Sequence, residues 1–450
     1  MTKPVKRGNA NRRGRATRER AVRGTPAVGR EIELEIGAVA HGGFCVGRHE
    51  GRAVFVRHTL PGEKVRAVVT EGGSEDRFWR ADAIEILRAN EHRVTPPCPY
   101  AGPGRCGGCD WQHASLDYQR ELKSTVVREQ LDRLAGLELV DDQPVVEPVP
   151  GDEDGLRWRT RVEFAVDEAG RAGMRAHRSH AVIPIDDCLI ATRPIIESGV
   201  LSTTWTDCAA VEVVDASLVD DAVVVPIAES GKALDHAGHG VESTVGERVQ
   251  VGEWVRELAV DARGFWQVHP GAAPTLVDEA MALLDPQEGE RALDVFAGVG
   301  LFAAALADLV GEQGQVLAVE SDGLAVENAV ENLEENPWAS ARQGRADRVL
   351  AELVRDGETF DLVVLDPPRT GAGRQVIESL VDLEPRAVVY VACDPAALAR
   401  DVAIAEELGY QLVALRAFDA FPMTQHVECV ALLEPVDESD LESDPESDHE

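Results

Sequence analysis

The residues with the most chemical reach lie in the last third of the chain. Cys393 follows the apolar run VVYVA and precedes Asp394-Pro395, which opens a helix. A sulfur beside a helix N-terminus is expected to have a lowered pKa, so Cys393 is a candidate nucleophile. A small buried hydrophobe is the competing reading of a lone cysteine. Glu428 enters a strand directly after His426 and Val427 in FPMTQHVECVALLE. An acid among apolar residues is costly unless it is used, and this carboxylate could take a proton as a general base. A solvated acid at a strand end competes. In LDPPRTG, Asp366 closes a strand and two prolines impose a rigid, non-helical loop. In LDVFAGVGLF, Gly298 and Gly300 turn the chain from strand to helix so that the backbone can approach a ligand. Glu320 ends the next strand, where it could bind two ribose hydroxyls. The glycine pair and this acid suit a nucleoside-containing cofactor, against the alternative of a plain structural turn.

A second constellation lies upstream. Cys98, Cys106 and Cys109 fall within twelve residues, two of them in CGGC, and Cys188 in IPIDDCLI is a distant fourth. Thiolates at this spacing form a metal site, and four of them suit either zinc or an iron–sulfur cluster. Eight cysteines in 450 residues are too few for a disulfide scaffold. Cys45 and Cys208 stand alone and read as packing, as does Cys429 on the face opposite Glu428.

The elements that must position these residues follow from periodicity. Residues 1–30 hold ten Lys/Arg, one acid and no hydrophobic period, and are expected to be a disordered basic arm. Residues 31–90 alternate apolar and polar positions between glycine turns, which predicts a small antiparallel barrel. Residues 91–264 contain the cysteines, a helix over 116–137 and a series of β-like runs, a mostly β central domain. Within it Arg157, Arg159, Arg161, Arg175, Arg178 and His180 are candidates for holding phosphates or bases, with solvated arginines on a strand as the alternative. Over 265–436, strands alternate with helices of 10–15 residues, the texture of an α/β, doubly wound parallel sheet. Residues 437–450 carry eight acids and no base and read as a disordered tail.

The formal net charge is −35, and nearly all of it is in the body between arm and tail. Taken alone this argues against a polyanionic partner, although the basic arm allows one. The apolar runs fall well short of a membrane span, and no apolar stretch follows the basic N-terminus as a secretory signal would require. A soluble, cytoplasmic protein is expected, and nothing demands more than a monomer.

Taken in order, FWQVHP (265–270), DPPRTG, the ACDP cysteine and the HVE glutamate resemble the RNA 5-methyluridine (uracil-C5) methyltransferases, over most of residues 30–436. The resemblance implies a Rossmann-like class I methyltransferase domain, an OB-like TRAM barrel at the N-terminus and S-adenosyl-L-methionine as methyl donor. It implies Gln267, Phe296, Glu320 and Asp366 as cofactor contacts, Cys393 as nucleophile, Glu428 as base, and tRNA or rRNA as partner. It also implies a 4Fe–4S cluster on Cys98, Cys106, Cys109 and Cys188, as in a subset of the family. The chain departs from the family pattern at Ala297, Leu301, His269 and Asp394, and Leu301 weakens one cofactor contact. Two other classes remain: a methyltransferase for a small molecule or protein, which leaves the thiol and barrel without a role, and a non-catalytic RNA-binding protein, which leaves Cys393, Glu428 and Asp366 without one.

Overall fold

The computed structural model describes residues 23–137, 139, 143–234 and 244–436. Most of the basic arm and the whole acidic tail, both expected to be disordered, lie outside the described residues. Five strands, β1 (Glu31–Ala40), β2 (Phe44–His49), β3 (Arg52–Arg57), β4 (Lys64–Glu71) and β5 (Phe78–Arg88), close a barrel in the order β1-β2-β3-β5-β4. Strand alternation explains it: Ile32, Leu34 and Ile36 point inward while Glu31, Glu33 and Glu35 face solvent.

Helix α1 (Leu116–Ala135) then bridges two cores. Leu122 and Val126 join the barrel core, whereas Val127 and Leu131 join the core of the C-terminal sheet. Such a split follows from helical spacing, because residues four apart share a face. The seam is fastened by a buried ion pair between Lys123 and Asp419, and Lys123 Nζ also donates to the Phe421 carbonyl at 3.0 Å.

After the short strand β6 (Val146–Pro148) come β7 (Arg161–Val166), β8 (Ala172–Arg175), β9 (Val182–Pro184), helix α2 (Arg193–Glu197), β10 (Cys208–Val214) and β11 (Val223–Ala228). The central sheet is antiparallel, ordered β11-β10-β7-β8-β9. A hairpin, β12 (Thr244–Val251) and β13 (Trp254–Asp261), leads to helix α3 (Ala272–Leu284).

The rest of the chain alternates strand and helix: β14 (Arg291–Val295), α4 (Leu301–Val310), β15 (Gln315–Glu320), α5 (Gly323–Asn332), β16 (Ala339–Gln343), α6 (Ala346–Arg355), β17 (Leu362–Leu365), α7 (Arg374–Asp382), β18 (Ala387–Ala392), α8 (Pro395–Glu407), β19 (Tyr410–Asp419) and β20 (Glu428–Pro435). The sheet order is β16-β15-β14-β17-β18-β20-β19-β6, with β20 antiparallel to its neighbours. Helices α3 and α4 cover one face together with the β12–β13 hairpin, and α6, α7, α8 and α1 cover the other. The eighth strand was not legible in the sequence. β6 pairs with β19 from a distant segment, and three residues carry too little pattern to announce a strand. No helix among the described residues is long and apolar enough to cross a membrane.

Candidate active site

The order of β14 and β17 about the crossover leaves a crevice at the carboxyl ends of β14, β15, β17 and β18, where ligands of open α/β sheets bind. At the end of β14 the chain turns through Phe296, a non-glycine residue at φ +66°, followed by Gly298 at +55° and Gly300 at +85°. Strain of this kind at a bulky side chain collects at ligand sites. The turn is tied to β15: the Phe296 and Ala297 N–H groups both donate to the Val319 carbonyl, at 2.9 and 3.1 Å. Glu320 accepts the Gly298 N–H at 3.1 Å and the Asp322 N–H at 2.8 Å. Phe296 and Glu320 are therefore held together by backbone.

Asp366 follows β17, and its N–H donates to the Val295 carbonyl at 3.2 Å. Burial pushes the Asp366 carboxyl up to about 7. The loop after it is anchored by Asp401 of α8, which accepts from the Ala372 N–H at 2.7 Å, the Gly373 N–H at 3.1 Å and the Tyr390 hydroxyl at 2.7 Å. Gly371 is required there: a Cβ would stand 2.6 Å from Asp401 Oδ2.

Cys393 and Glu428 are brought together at the adjoining ends of β18 and β20. The last pair of the register is Ala392 with Cys429, so Cys393 directly follows β18 where Glu428 opens β20. The Glu428 charge reaches the Cys393 thiol. Glu428 is buried, and its Oε2 has no hydrogen-bond partner among the described residues. Burial, then the charge of Asp366, raise its carboxyl well above the usual range, against the opposing charge of Arg369. The Cys393 thiol is pushed up to about 12 by burial, then by Glu428 and Asp366, with Arg369 pulling the other way. The helix start was expected to lower this pKa. It does not prevail because two carboxyl groups and partial burial outweigh it in the free protein.

Two side chains that spacing did not single out belong to this group. Arg369 is the cation facing Cys393, Glu428 and His426, whose imidazole is pushed down to about 3 by burial and then by Arg369. Asp294 is fully buried in β14, accepts the Ala303 N–H at 2.9 Å and is raised to about 8 by burial. Both lie inside motifs already quoted, but nothing in their spacing distinguished them from structural residues. Gln267 is buried in the segment before α3 and makes no hydrogen bond to the other named residues among those described.

The four upstream cysteines converge despite their separation in the chain. Cys109 feels Cys188, Cys106 and Cys98, and burial pushes it, Cys106 and Cys188 up, Cys188 to about 11. Two of the sulfurs already accept N–H groups: Gln112 Nε2 donates to Cys109 at 3.2 Å and Gly108 N to Cys106 at 3.4 Å. As the side chains stand, no three His, Cys, Asp or Glu residues among those described are arranged to hold a metal ion.

Comparison with known proteins fits this arrangement. The tRNA (Uracil-5-)-methyltransferase family profile matches residues 243–436 and the TRAM domain matches residues 27–81. An uncharacterized RNA methyltransferase of Streptomyces coelicolor is 50% identical over 91% of this chain and 93% of its own length. A 23S rRNA (uracil(1939)-C(5))-methyltransferase of Pseudomonas putida is 34% identical over 90% of this chain and 94% of its own. The chain belongs to the RNA uracil-C5 methyltransferase family. It is thus an S-adenosylmethionine-dependent enzyme with a TRAM barrel. The crystal structure of a Pyrococcus abyssi tRNA (uracil-54, C5)-methyltransferase with S-adenosyl-L-homocysteine shares the fold, with a TM-score of 0.64 at 23% identity over 89% of this chain and all of that one.

The arginines expected to hold RNA in this family member are mostly spent on its own fold. Arg157 grips Asp187 with both terminal nitrogens, at 2.9 and 2.6 Å. Arg161 is buried against Glu247 at 3.0 Å and the Ala262 carbonyl at 3.2 Å. Arg178 pairs with Glu71 at 3.0 Å. Arg175 and His180 are exposed. Arg159 differs: it is buried within electrostatic reach of Cys188, Cys109 and Arg369, and its Nε donates to the Arg161 carbonyl at 3.0 Å.

Proposed function

We propose that this protein methylates C5 of a uridine in tRNA or rRNA, in the cytoplasm and as a monomer, through a covalent adduct on Cys393. The observation that carries the reading is that Cys393 and Glu428, at the adjoining ends of β18 and β20, lie within electrostatic reach of one another and of Asp366 and Arg369. C5 of uracil is too weak a nucleophile to take a methyl group unaided. Addition of the Cys393 sulfur to C6 places an electron pair on C5 in enolate form. C5 then takes the methyl group, and S-adenosylhomocysteine leaves as the neutral thioether. Glu428, as carboxylate, removes the C5 proton, and the returning electron pair expels the Cys393 thiolate from C6. Arg369 would stabilise negative charge on the sulfur or on the pyrimidine oxygen. The uridine must be unstacked, because C6 is attacked perpendicular to the ring.

In this reading Gln267, Phe296, Glu320 and Asp366 hold the methyl donor, Glu320 by its ribose hydroxyls and Asp366 near its positive sulfonium. We further infer that Cys98, Cys106, Cys109 and Cys188 hold a 4Fe–4S cluster. Four thiols within electrostatic reach are the donor set such a cluster takes, and the Cys106 and Cys109 sulfurs already accept N–H groups. When bound, the cluster would cross-link segments 98–109 and 188; methyl transfer needs no electron from it. Anaerobically purified protein is expected to contain iron and sulfide and to absorb broadly near roughly 400 nm. Stoichiometric zinc in a colourless preparation overturns that assignment.

The function is tested with RNA carrying 5-fluorouridine. The fluorine blocks proton removal, so a protein–RNA adduct should accumulate and disappear in Cys393→Ala. Transcribed 23S rRNA is the first substrate to try, given the Pseudomonas relative, and a tRNA pool the second. Methylation without any trapped adduct would refute the covalent route.

A further inference from the structure

The first barrel hairpin contains AHGGF, with two adjacent glycines at its tip. Gly42 and Gly43 have φ of +96° and +77°, conformations that glycine adopts at no steric cost. A Cβ on Gly43 would lie 3.1 Å from Asp110 Cγ and 3.2 Å from Gln425 Cβ, so the tip is pressed between two distant segments. Asp110 accepts the Gln425 N–H at 3.2 Å and pairs with Arg57 of the barrel at 3.5 Å. Its own N–H and that of Trp111 both donate to the Met423 carbonyl at 3.0 Å. The loop leading into Glu428 is thereby fixed from the barrel side.

The neighbouring His41 reaches the other catalytic segment. Its Nε2 donates to Oδ2 of Asp394 at 3.0 Å, across 353 positions of chain. Asp394 directly follows Cys393, and its other oxygen accepts the Ala397 N–H at 2.9 Å, capping α8. Burial opposes ionisation of Asp394, but the His41 bond, the cap and Arg400 hold its carboxyl below the ordinary range. One carboxylate is thus shared between the start of α8 and the barrel.

We propose that His41 is a positioning residue for methyl transfer, fixing the Asp394 carboxylate and through it the direction of the Cys393 sulfur. The same hairpin, through Gly43, steadies the approach to Glu428. The barrel is then part of the frame of the active site in addition to any hold it has on RNA. This inference rests on the reading of Cys393 as nucleophile.

The test compares His41→Ala, His41→Gln, Asp394→Ser and the His41→Ala/Asp394→Ser double variant in the full chain, on transcribed 23S rRNA and a tRNA pool. Serine caps a helix as aspartate does but is too short to reach His41. Each single variant except His41→Gln should lower kcat by about 10- to 100-fold with KM for RNA unchanged. The double variant should be no slower than the slower single. His41→Gln, which keeps a donor, should recover most of the rate. Hydrogen exchange at residues 395–399 should quicken in His41→Ala while the barrel strands stay protected, a readout that needs no turnover. Unchanged exchange there, an unchanged kcat, losses that multiply in the double variant, or a raised KM at full kcat would each overturn the proposal. The nucleophile reading fails separately, if Cys393→Ala still forms the fluorouridine adduct while the His41–Asp394 coupling persists.

Discussion

Cys393 and the four upstream cysteines face the same physical problem and meet it differently. Burial disfavours the thiolate in both regions. In the upstream group, two sulfurs accept N–H groups, Cys109 from Gln112 and Cys106 from Gly108, an environment suited to negative charge. Cys393 has no such donors among the described residues and faces Glu428 and Asp366, with Arg369 as the compensating cation. A thiol left unstabilised by its own protein must be activated by what binds beside it. On the proposed roles, the two regions would differ in when their sulfur becomes charged: one on assembly, the other on each turnover.

The sharpest test of that difference is removal of the sulfur itself. Cys393→Ala should lower methyl transfer by at least about 10⁴-fold, because neighbouring carboxylates cannot replace a nucleophile. Cys188→Ala should instead lower stability and metal content while the remaining folded protein still forms the fluorouridine adduct. Labelled methyl transfer and adduct gels measure the two. A Cys188→Ala protein that is folded yet as inactive as Cys393→Ala would erase the distinction.

The next largest effect concerns the seam that joins the regions. Lys123 and Asp419 are both fully buried, and Lys123 also serves the carbonyl of Phe421, in the loop that leads to Glu428. Burial pushes the Lys123 ammonium down, and Asp419 pulls it back up. Lys123→Met leaves the buried Asp419 with Arg120 at 3.5 Å as its remaining cation, at a cost of up to about 3–5 kcal/mol. Lys123→Met/Asp419→Leu should recover most of that loss in denaturant unfolding, since a buried ion pair is replaceable by apolar side chains. A double variant as unstable as the single would mean that the pair is irreplaceable in this fold.

These examples also show what sequence can and cannot carry. The doubly wound sheet was legible because its strands and helices each show a strong period, and Cys393 and Glu428 stood out as candidates because a charged or reactive side chain interrupts an apolar run. Their pairing was not legible, since it depends on the register between β18 and β20. Nor were β6, Arg369 and the His41–Asp394 bond, each of which is defined by a partner far away in the chain. The partners of the RWRTR arginines were not legible either, because an arginine on a strand looks the same whether it faces water, a ligand or, as Arg161 does, a buried glutamate. The thiol pKa misled for a related reason: the helix start is written in the local sequence, whereas the opposing carboxyl groups arrive from other strands.

The smallest expected effect bears most directly on how Cys393 is activated. Asp366 sits at about 7 and Asp294 at about 8 in the free protein, both raised by burial, with Glu428 higher than usual beside them. The fold binds these protons more tightly than the unfolded chain does. Their stabilising contribution is therefore full below about 4 and lost as pH rises through about 7 to 8, so the free protein should melt at lower temperature at pH 8.5 than at pH 6. A sulfonium cation reverses the preference, because it attracts the ionised carboxylate. Affinity for S-adenosylmethionine should then fall by about tenfold for each pH unit below about 7 and level off above 8, measured by calorimetry. Asp366→Asn should bind more weakly and lose most of the slope below 7, leaving a shallower one from Asp294. The donor's positive charge would in that case sit against the carboxylate that otherwise opposes the Cys393 thiolate and offset it, which makes methyl-donor binding a step that readies the sulfur. An affinity independent of pH between 6 and 8 would place Asp366 away from the sulfonium and leave Arg369 and the RNA to activate the thiol.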